Sequence, residues 1–439
     1  MPTSPLWRHR DFMKLWTGET ISQLGTGVTM LALPLVAINV LDASAPQVGA
    51  LTAVEFAPFI LVGLPAGVWV DRLRRKPVLV AGDVGRALVL ASVPIAYAFD
   101  VLTIWQLYAV AFLAGVLTVF FDVAYQSYLP SLVDKEQLPD GNSKLEISRS
   151  GAQIAGPGIA GWLVGVLSAP GAIVVDAVSY VLSGLAIWRI RTVERHEPVP
   201  KAQRPRMRTE IGEGLRYVLG HRLLRPIAMS TATSNLFGSI GQAVLVLFMV
   251  RRLDLSAGAI GLVFAVGNAG FLLGAAASAV VQRRLGVGRT IVLSMALGAP
   301  TSFMLPLATL GPKLGWLMGG LAFWGFTGVV YNIAQVSLRQ AICPDRMLGR
   351  MNASMRFVVW GTMPIGAAIG GVLGGAVGLR ETLFIAAAGQ CLAFIPPAVS
   401  PVWRLKSIAD AEAEEASLRD AQEGVAVTGP PAAGMVPEP

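Results

Sequence analysis

Apolar residues along this chain come in blocks of about twenty or more, separated by short polar gaps. The blocks lack the ten-residue alternation of a membrane β-barrel strand. A helix needs about 20 apolar residues to cross the ~30 Å hydrocarbon layer, and backbone groups in lipid must pair internally. The pattern therefore predicts twelve transmembrane helices. Six lie near 12–41, 47–70, 77–98, 104–127, 146–167 and 170–190, and six near 225–250, 257–282, 289–310, 314–337, 354–378 and 381–403. The first block is too long for a signal-peptide core and no small-x-small site follows it, which predicts an uncleaved first span. The gap at 191–224 holds Pro198, Pro200 and Pro205 and then an amphipathic stretch, Glu210 to Leu223, and reads as a linker. The segment 404–439 opens acidic and Ala-rich, ends Pro-rich, and is expected to be disordered. The expected units are a bundle at 1–190, the linker, a bundle at 225–403 and the tail.

The two sets of six repeat each other. Asn142, Gly151, Gly156, Gly161 and Gly165 match Asn352, Gly361, Gly366, Gly371 and Gly375 at an offset of 210. Asp122, Ala124 and Ser127 match Asn332, Ala334 and Ser337 at the same offset; Gly63 and Arg72 match Gly274 and Arg283 at 211; Asp42, Ser44 and Gly49 match Asp254, Ser256 and Gly261 at 212. Six spans per copy give both copies the same orientation. The expected fold is an all-α integral membrane protein of two pseudo-symmetric six-helix bundles, an architecture suited to rocking one half against the other.

Composition narrows the class. Of 439 residues, 54% are apolar and 14% charged, with mean hydropathy +0.60; an ordinary soluble domain is about 25% charged. The 28 arginines and 7 lysines fall mostly in the short gaps, and on one side of the predicted membrane. Only Arg251, Arg252, Lys313 and Arg380 lie on the other, so the positive-inside rule places both ends in the cytoplasm. That distribution argues against a nucleic-acid partner. Two cysteines 48 residues apart, Cys343 and Cys391, and three histidines in polar segments supply no metal site, and no cofactor motif is present.

Two motifs carry a resemblance. The turn after span 2 reads Gly67-Val-Trp-Val-Asp71-Arg72-Leu-Arg74-Arg75-Lys76. It resembles the Gly-x-x-x-Asp-Arg-x-Gly-Arg-Arg/Lys loop of the major facilitator superfamily, with Arg74 where that pattern has Gly. Span 5 carries Gly156-Pro157-Gly158-Ile-Ala160-Gly161, which inside an apolar helix is no dinucleotide fingerprint. It resembles the Gly-Pro-x-x-Gly-Gly signature of superfamily antiporters, with Ala160 at the first of the closing glycines. Further segments (Leu64-Pro-Ala-Gly67, Asp83-Val-Gly-Arg86-Ala87, Tyr128-Leu-Pro-Ser-Leu-Val133, Met347-Leu-Gly-Arg-Met-Asn352) are similar to the drug:proton antiporter branch that includes macrolide-efflux and enterobactin-exporter proteins. The resemblance spans about residues 6–403. It implies export of a bulky amphiphile, proton coupling, spans 1, 4, 7 and 10 around a central cavity, and Asp71 at the inner end of span 11 when the cytoplasmic side is closed. With span 11 starting near Ser354, Asp71 would cap that helix, leaving Arg75 to pair with Asp122.

Ionisable residues inside spans are functional candidates because a charge at the bilayer centre costs roughly 2.5–3.5 kcal/mol. Glu19 shares a helix face with Ser22, Gln23, Thr26 and Thr29, a polar stripe repeated in span 7 by Thr231, Asn235, Gly238 and Gln242 and expected to face substrate. Asp83 and Arg86, three apart, can pair on one face of span 3; Glu55, Asp176 and Arg149 complete the set, with Asn332 standing where the first half has Asp122. The sequence thus predicts a secondary transporter with a small-molecule substrate and protons as partners, embedded in a bacterial plasma membrane and working as a monomer. Import of a nutrient on the same fold stays open, as does, more remotely, a membrane sensor. A membrane enzyme lacks its nucleophile or metal set, and an ATP-driven pump lacks its P-loop.

Overall fold

The computed structural model describes residues 6–70, 73–133, 137–192, 207–407 and 409–411. Span 1 is α1 (Arg10–Asn39), span 2 is α2 (Ala45–Leu61) continued by α3 (Gly63–Val70), and spans 3 to 6 are α4 (Arg75–Ala98), α5 (Ile104–Leu132), α6 (Leu138–Leu167) and α7 (Ala169–Trp188). The linker helix α8 (Met207–Gly220) leads to span 7, α9 (Leu224–Arg251), and span 8, α10 (Ala257–Leu285). Span 9 is α11 (Val287–Gly298) followed by a 3-10 turn and the short α12 (Met304–Leu307); span 10 is α13 (Lys313–Ile342). Span 11 is α14 (Asp345–Trp360) with α15 (Thr362–Ala376), and span 12 is α16 (Leu379–Gln390) with α17 (Ile395–Ala398). Eleven of these are long and apolar enough to cross a membrane, and span 2, broken at Val62, supplies the twelfth.

Local chemistry sets the turns. Asp42 and Asp254 both take left-handed backbone (φ 47° and 53°), which Asp tolerates better than most residues, and each precedes a Ser N-cap. Ser256 Oγ accepts from Ala259 N at 3.3 Å, and Ser44 forms a capping box with Gln47. The repeat thus includes the same helix restart twice. His9 and His221, also 212 apart, serve as a second duplicated device: each Nδ1 accepts a backbone N–H where span 1 or span 7 begins (Phe12 N at 3.0 Å, Leu223 N at 3.1 Å).

Three expectations need correction. The start of the segment expected to be disordered is ordered and packs on span 9: Gly288 N donates to Leu405 O at 3.0 Å, and Leu405 and Ala411 are buried, while 408 and 412–439 lie outside the described residues. Residues 345–353 and 138–145, too polar to count as membrane span, are helical and extend spans 11 and 5. At span 11 this polar turn packs on α8, with Arg350 Nη1 donating to Glu213 Oε2 at 2.5 Å. Helix continues through Ser354, so its amides are engaged within the helix and Asp71 cannot cap an N-terminus there; that terminus lies at Asp345. Asp71 and Arg72 themselves lie outside the described residues. Arg74, the departure from the loop pattern, is extended (φ −67°, ψ 130°), a conformation that needs no glycine.

The buried core is one body on the side away from the chain ends and two bodies on the side that carries them. On the far side a single apolar cluster joins both halves; Leu31–Ile38 of α1, apart from the half-buried Pro34, and Ala243–Met249 of α9 are buried. On the terminal side one cluster belongs to the first half (Phe12, Leu79, Phe121, Tyr128) and a separate one to the second half and α8 (Val218, Leu224, Tyr331, Leu338). The two halves therefore meet on the far side and part on the terminal side.

Two glycine crossings make the far-side closure. Gly161 of span 5 meets Gly261 of span 8, and Gly49 of span 2 meets Gly371 of span 11. These contacts are repeat copies of each other, since 161 and 371 differ by 210 and 49 and 261 by 212. A Cβ on Gly161 would lie 3.1 Å from Gly261 Cα, and one on Gly371 would lie 2.8 Å from Gly49 Cα. Small residues let membrane helices approach this closely. Across the far rim Arg251 Nη2 also donates to Asp42 Oδ1 and to Ala43 O, at 3.0 Å for the latter.

Candidate functional site

Four of the charged residues predicted for the first half, Glu19, Asp83, Arg86 and Asp176, gather in one buried cluster among spans 1, 3, 4 and 6. Arg86 Nη2 donates to Asp83 Oδ1 at 2.6 Å, the pairing that their spacing of three allows, and Asp83 is fully buried. The Arg86 guanidinium sits between two rings, 4.2 Å from the centroids of Phe121 and of Tyr180. Stacking of this kind suits a planar, weakly hydrated cation. Glu19 is buried, with one oxygen accepting from Gln23 Nε2 at 2.6 Å and Oε2 without a partner. Asp176 is fully buried and accepts from Thr29 Oγ1 and, at 3.0 Å, from Ser179 Oγ.

Burial turns the span 1 stripe in a direction that its spacing did not reveal. Ser22 is buried, Thr26 Oγ1 lies 2.8 Å from Tyr180 Oη, and Thr29 holds Asp176, so this part of the stripe faces span 6 inside the first bundle and not a central cavity. Gly25 makes the fit possible: a Cβ there would overlap the Ser179 hydroxyl and the Asp176 carboxylate. Tyr180, Ser179 and Phe121 are also site members, and they carry no charge. The available signal was the spacing of Ser179 and Tyr180, three and four residues after Asp176 on span 6.

The other candidates stand apart. Glu55 is half-buried and, among the described residues, makes no side-chain hydrogen bond or ion pair. Asp122 is half-buried near the terminal-side end of span 4, within the fields of Arg86 and Arg149, and among the described residues it makes no ion pair, so the expected Arg75–Asp122 contact is not formed in this terminal-side-open arrangement. In the second half Asn235 Nδ2 donates to Val359 O at 3.1 Å. Asn332 is exposed and starts a neutral-to-cationic chain: Gln335 Nε2 donates to Asn332 Oδ1 (3.0 Å), and Arg339 reaches both Gln335 Oε1 (3.1 Å) and Asn352 Oδ1 (3.2 Å). Gly156 packs on Gly27 of span 1, while Gly161 and the Pro157 carbonyl meet Gly261 of span 8. The antiporter-like motif is thus physically the span 5 seam to both halves. Among the described residues no group of His, Cys, Asp or Glu could hold a metal ion.

The charges are not duplicated. Thr231 occupies the position of Glu19, Ala386 that of Asp176 and Gln390 that of Tyr180. The corresponding contacts in the second half are neutral: Thr231 Oγ1 to Tyr331 Oη at 2.6 Å, and Ser234 Oγ to Gln390 Oε1 at 3.1 Å. Span 9, counterpart of span 3, has only Arg289 at its start, exposed beside Trp403.

A family model described as Major Facilitator Superfamily matches residues 15–362. The chain belongs to this superfamily. Among its relatives is the multidrug efflux pump Tap of Mycolicibacterium fortuitum, 27% identical over 369 residues, covering 82% of this chain and 88% of Tap. Macrolide efflux protein A of Streptococcus pyogenes is 22% identical over 410 residues, covering 90% and 97%. The fold matches that of a bacterial homologue of the iron transporter ferroportin in its inward-facing state, with TM-score 0.72, 17% identity and coverage of 90% and 99%. This superfamily chain is a multi-pass membrane transporter and not an enzyme.

Proposed function

We propose that this chain exports a bulky amphiphilic small molecule in exchange for protons, and that its terminal side is the cytoplasm of a bacterial cell. The observation that carries the coupling is the charge count of the buried cluster: Glu19, Asp83 and Asp176 share one guanidinium, Arg86. Fully ionised, the cluster would hold two uncompensated negative charges, and burying unpaired charge costs several kcal/mol per ion. Binding protons removes that cost, so the cluster serves as a proton store that empties when the bundle rearranges. The Lys and Arg distribution supports the cytoplasmic placement of the terminal side, and the open terminal side is then the substrate's way in. The efflux functions named for Tap and macrolide efflux protein A support the direction and the substrate class. Working as one monomer, the chain would hold the proton site in its first half and a neutral, hydrogen-bonding wall in its second, with Glu55, Asn235 and Asn332 as candidate substrate contacts.

The test is flux of a macrolide or a cationic dye in proteoliposomes under an imposed pH gradient, paired with efflux from ATP-replete cells. A collapsed proton gradient should abolish uphill efflux. Efflux that persists at full rate without the gradient overturns the coupling, and accumulation inside cells overturns the direction.

A further inference from the structure

The chain has a second basic feature that transport does not use. At the terminal-side junction of spans 1 and 6 lies an open recess of about 840 Å³, bordered by His9, Arg10, Lys14, Trp188, Arg189 and Arg191. Among the described residues the one acid there is Asp11, and its carboxylate is already engaged. Oδ1 accepts from Lys14 Nζ at 2.6 Å, and Oδ2 accepts from the amides of Arg191 (3.0 Å) and Thr192 (2.9 Å) and from the Thr192 hydroxyl (2.7 Å). Lys14 Nζ also donates to Arg189 O at 2.7 Å. Asp11 thus ties the end of span 6 to the start of span 1 and leaves Arg10, Arg189 and Arg191 exposed, with no ion-pair partner among the described residues. The recess keeps a surplus of three positive charges after Lys14 and Asp11 cancel.

Its depth is marked by tryptophan. Trp188, the last residue of α7, is 64% exposed, and Trp7 beside the start of α1 is 54% exposed; exposed Trp at a span end marks the headgroup level of a bilayer. Below Trp188, Val178, Val181, Leu182 and Leu185 form an exposed apolar track along α7. Cations at headgroup depth above an apolar track match a molecule with an anionic head and a hydrocarbon tail.

We propose that this recess binds the phosphate headgroup of an anionic membrane phospholipid, its acyl chains lying along span 6. The apolar track is what favours a lipid over free phosphate. Each basic residue near an anionic headgroup is worth about fivefold in affinity, so removing two should weaken binding about 25-fold.

The test uses the full chain in detergent, titrated with dioctanoyl-phosphatidylglycerol or dioctanoyl-phosphatidylcholine and read by native mass spectrometry. The expected result is one site that prefers phosphatidylglycerol by about tenfold or more. Arg189→Gln/Arg191→Gln should abolish the preference. Arg283→Gln/Arg284→Gln, which removes two exposed charges from the same side of the second half, should keep it. Should the first double variant fail to fold, Arg10→Gln alone should still show a loss of about fivefold. Equal loss in both double variants would reduce the effect to general surface charge and overturn the site. Displacement of the lipid by millimolar inorganic phosphate would overturn the lipid assignment, and absence of any headgroup preference would overturn the proposal outright.

Discussion

The far-side closure rests on backbone against backbone, which makes one added methyl group a sharp probe. A Cβ on Gly161 would stand 2.5 Å from Ala257 O and 3.1 Å from Gly261 Cα; one on Gly371 would stand 2.8 Å from Gly49 Cα and 3.1 Å from Ala45 O. Those neighbours are backbone atoms and cannot rotate aside, so the helices must part. Overpacking of this size costs about 1–3 kcal/mol. The cost falls on the far-side-closed state alone, because the paired helices belong to different halves and separate when that side opens. Gly161→Ala should therefore shift the closed-to-open equilibrium by about 5–150-fold, at about 1.4 kcal/mol per factor of ten. Gly161→Ala/Gly371→Ala should shift it further, since the two crossings share no partner residue. Spin labels at the exposed Leu167 and Gly258, one on each side of the span 5–span 8 seam, read the change as a longer component in their distance distribution. Gly165→Ala is the control: it lies one helical turn along span 5, with nothing within 4 Å of its Cβ position. A Gly161→Ala distribution that matches both wild type and the Gly165→Ala control would refute the closure argument.

Three further predictions follow from the buried cluster and the loop. Glu19→Gln keeps the acceptor for Gln23 but cannot carry a proton, so it should lose gradient-driven efflux and retain substrate exchange at zero gradient; uphill efflux with wild-type pH dependence would remove Glu19 from coupling. Arg86→Leu leaves Asp83 buried without its cation and should cost about 3–5 kcal/mol, and Arg86→Lys should recover little because an ammonium cannot stack as a plane between Phe121 and Tyr180; thermal unfolding in detergent checks both. Asp71→Asn, at the loop position that the superfamily resemblance sets against the inner end of span 11 without any capping role, should lower transport and favour the terminal-side-open state at unchanged membrane insertion, read by spin-label distances across that rim; an unchanged open-to-closed ratio rejects a latch at Asp71.

The architecture was legible because crossing lipid demands long apolar blocks and closed backbone hydrogen bonding, both visible in one dimension. Span ends were less legible wherever a polar segment is helical for tertiary reasons, as at 345–353, where the linker helix supplies Glu213 as partner for Arg350. The Asp83–Arg86 pair was readable from its spacing of three. The direction of the span 1 stripe was not, because Tyr180 and Asp176, which claim Thr26 and Thr29, lie about 150 residues away in the chain. Helical periodicity shows that residues share a face; only packing shows what that face meets.

What the duplication kept and what it lost then follows a physical rule. Closing a two-half transporter on one side requires a close approach at both seams, so the glycines at 49, 161, 261 and 371 recur in both copies. The left-handed Asp42 and Asp254 and the capping His9 and His221 recur for a similar reason, since each half must start its helices the same way. Burying charge has no such requirement. A second Glu–Asp–Arg–Asp cluster would double the desolvation cost without improving the closure. The second half accordingly holds Thr231, Ala386 and Gln390, satisfied by neutral hydrogen bonds or by packing alone. The proton exchange proposed above needs only one such cluster, and on that proposal its confinement to spans 1, 3, 4 and 6 assigns the proton-linked rearrangement to the first half.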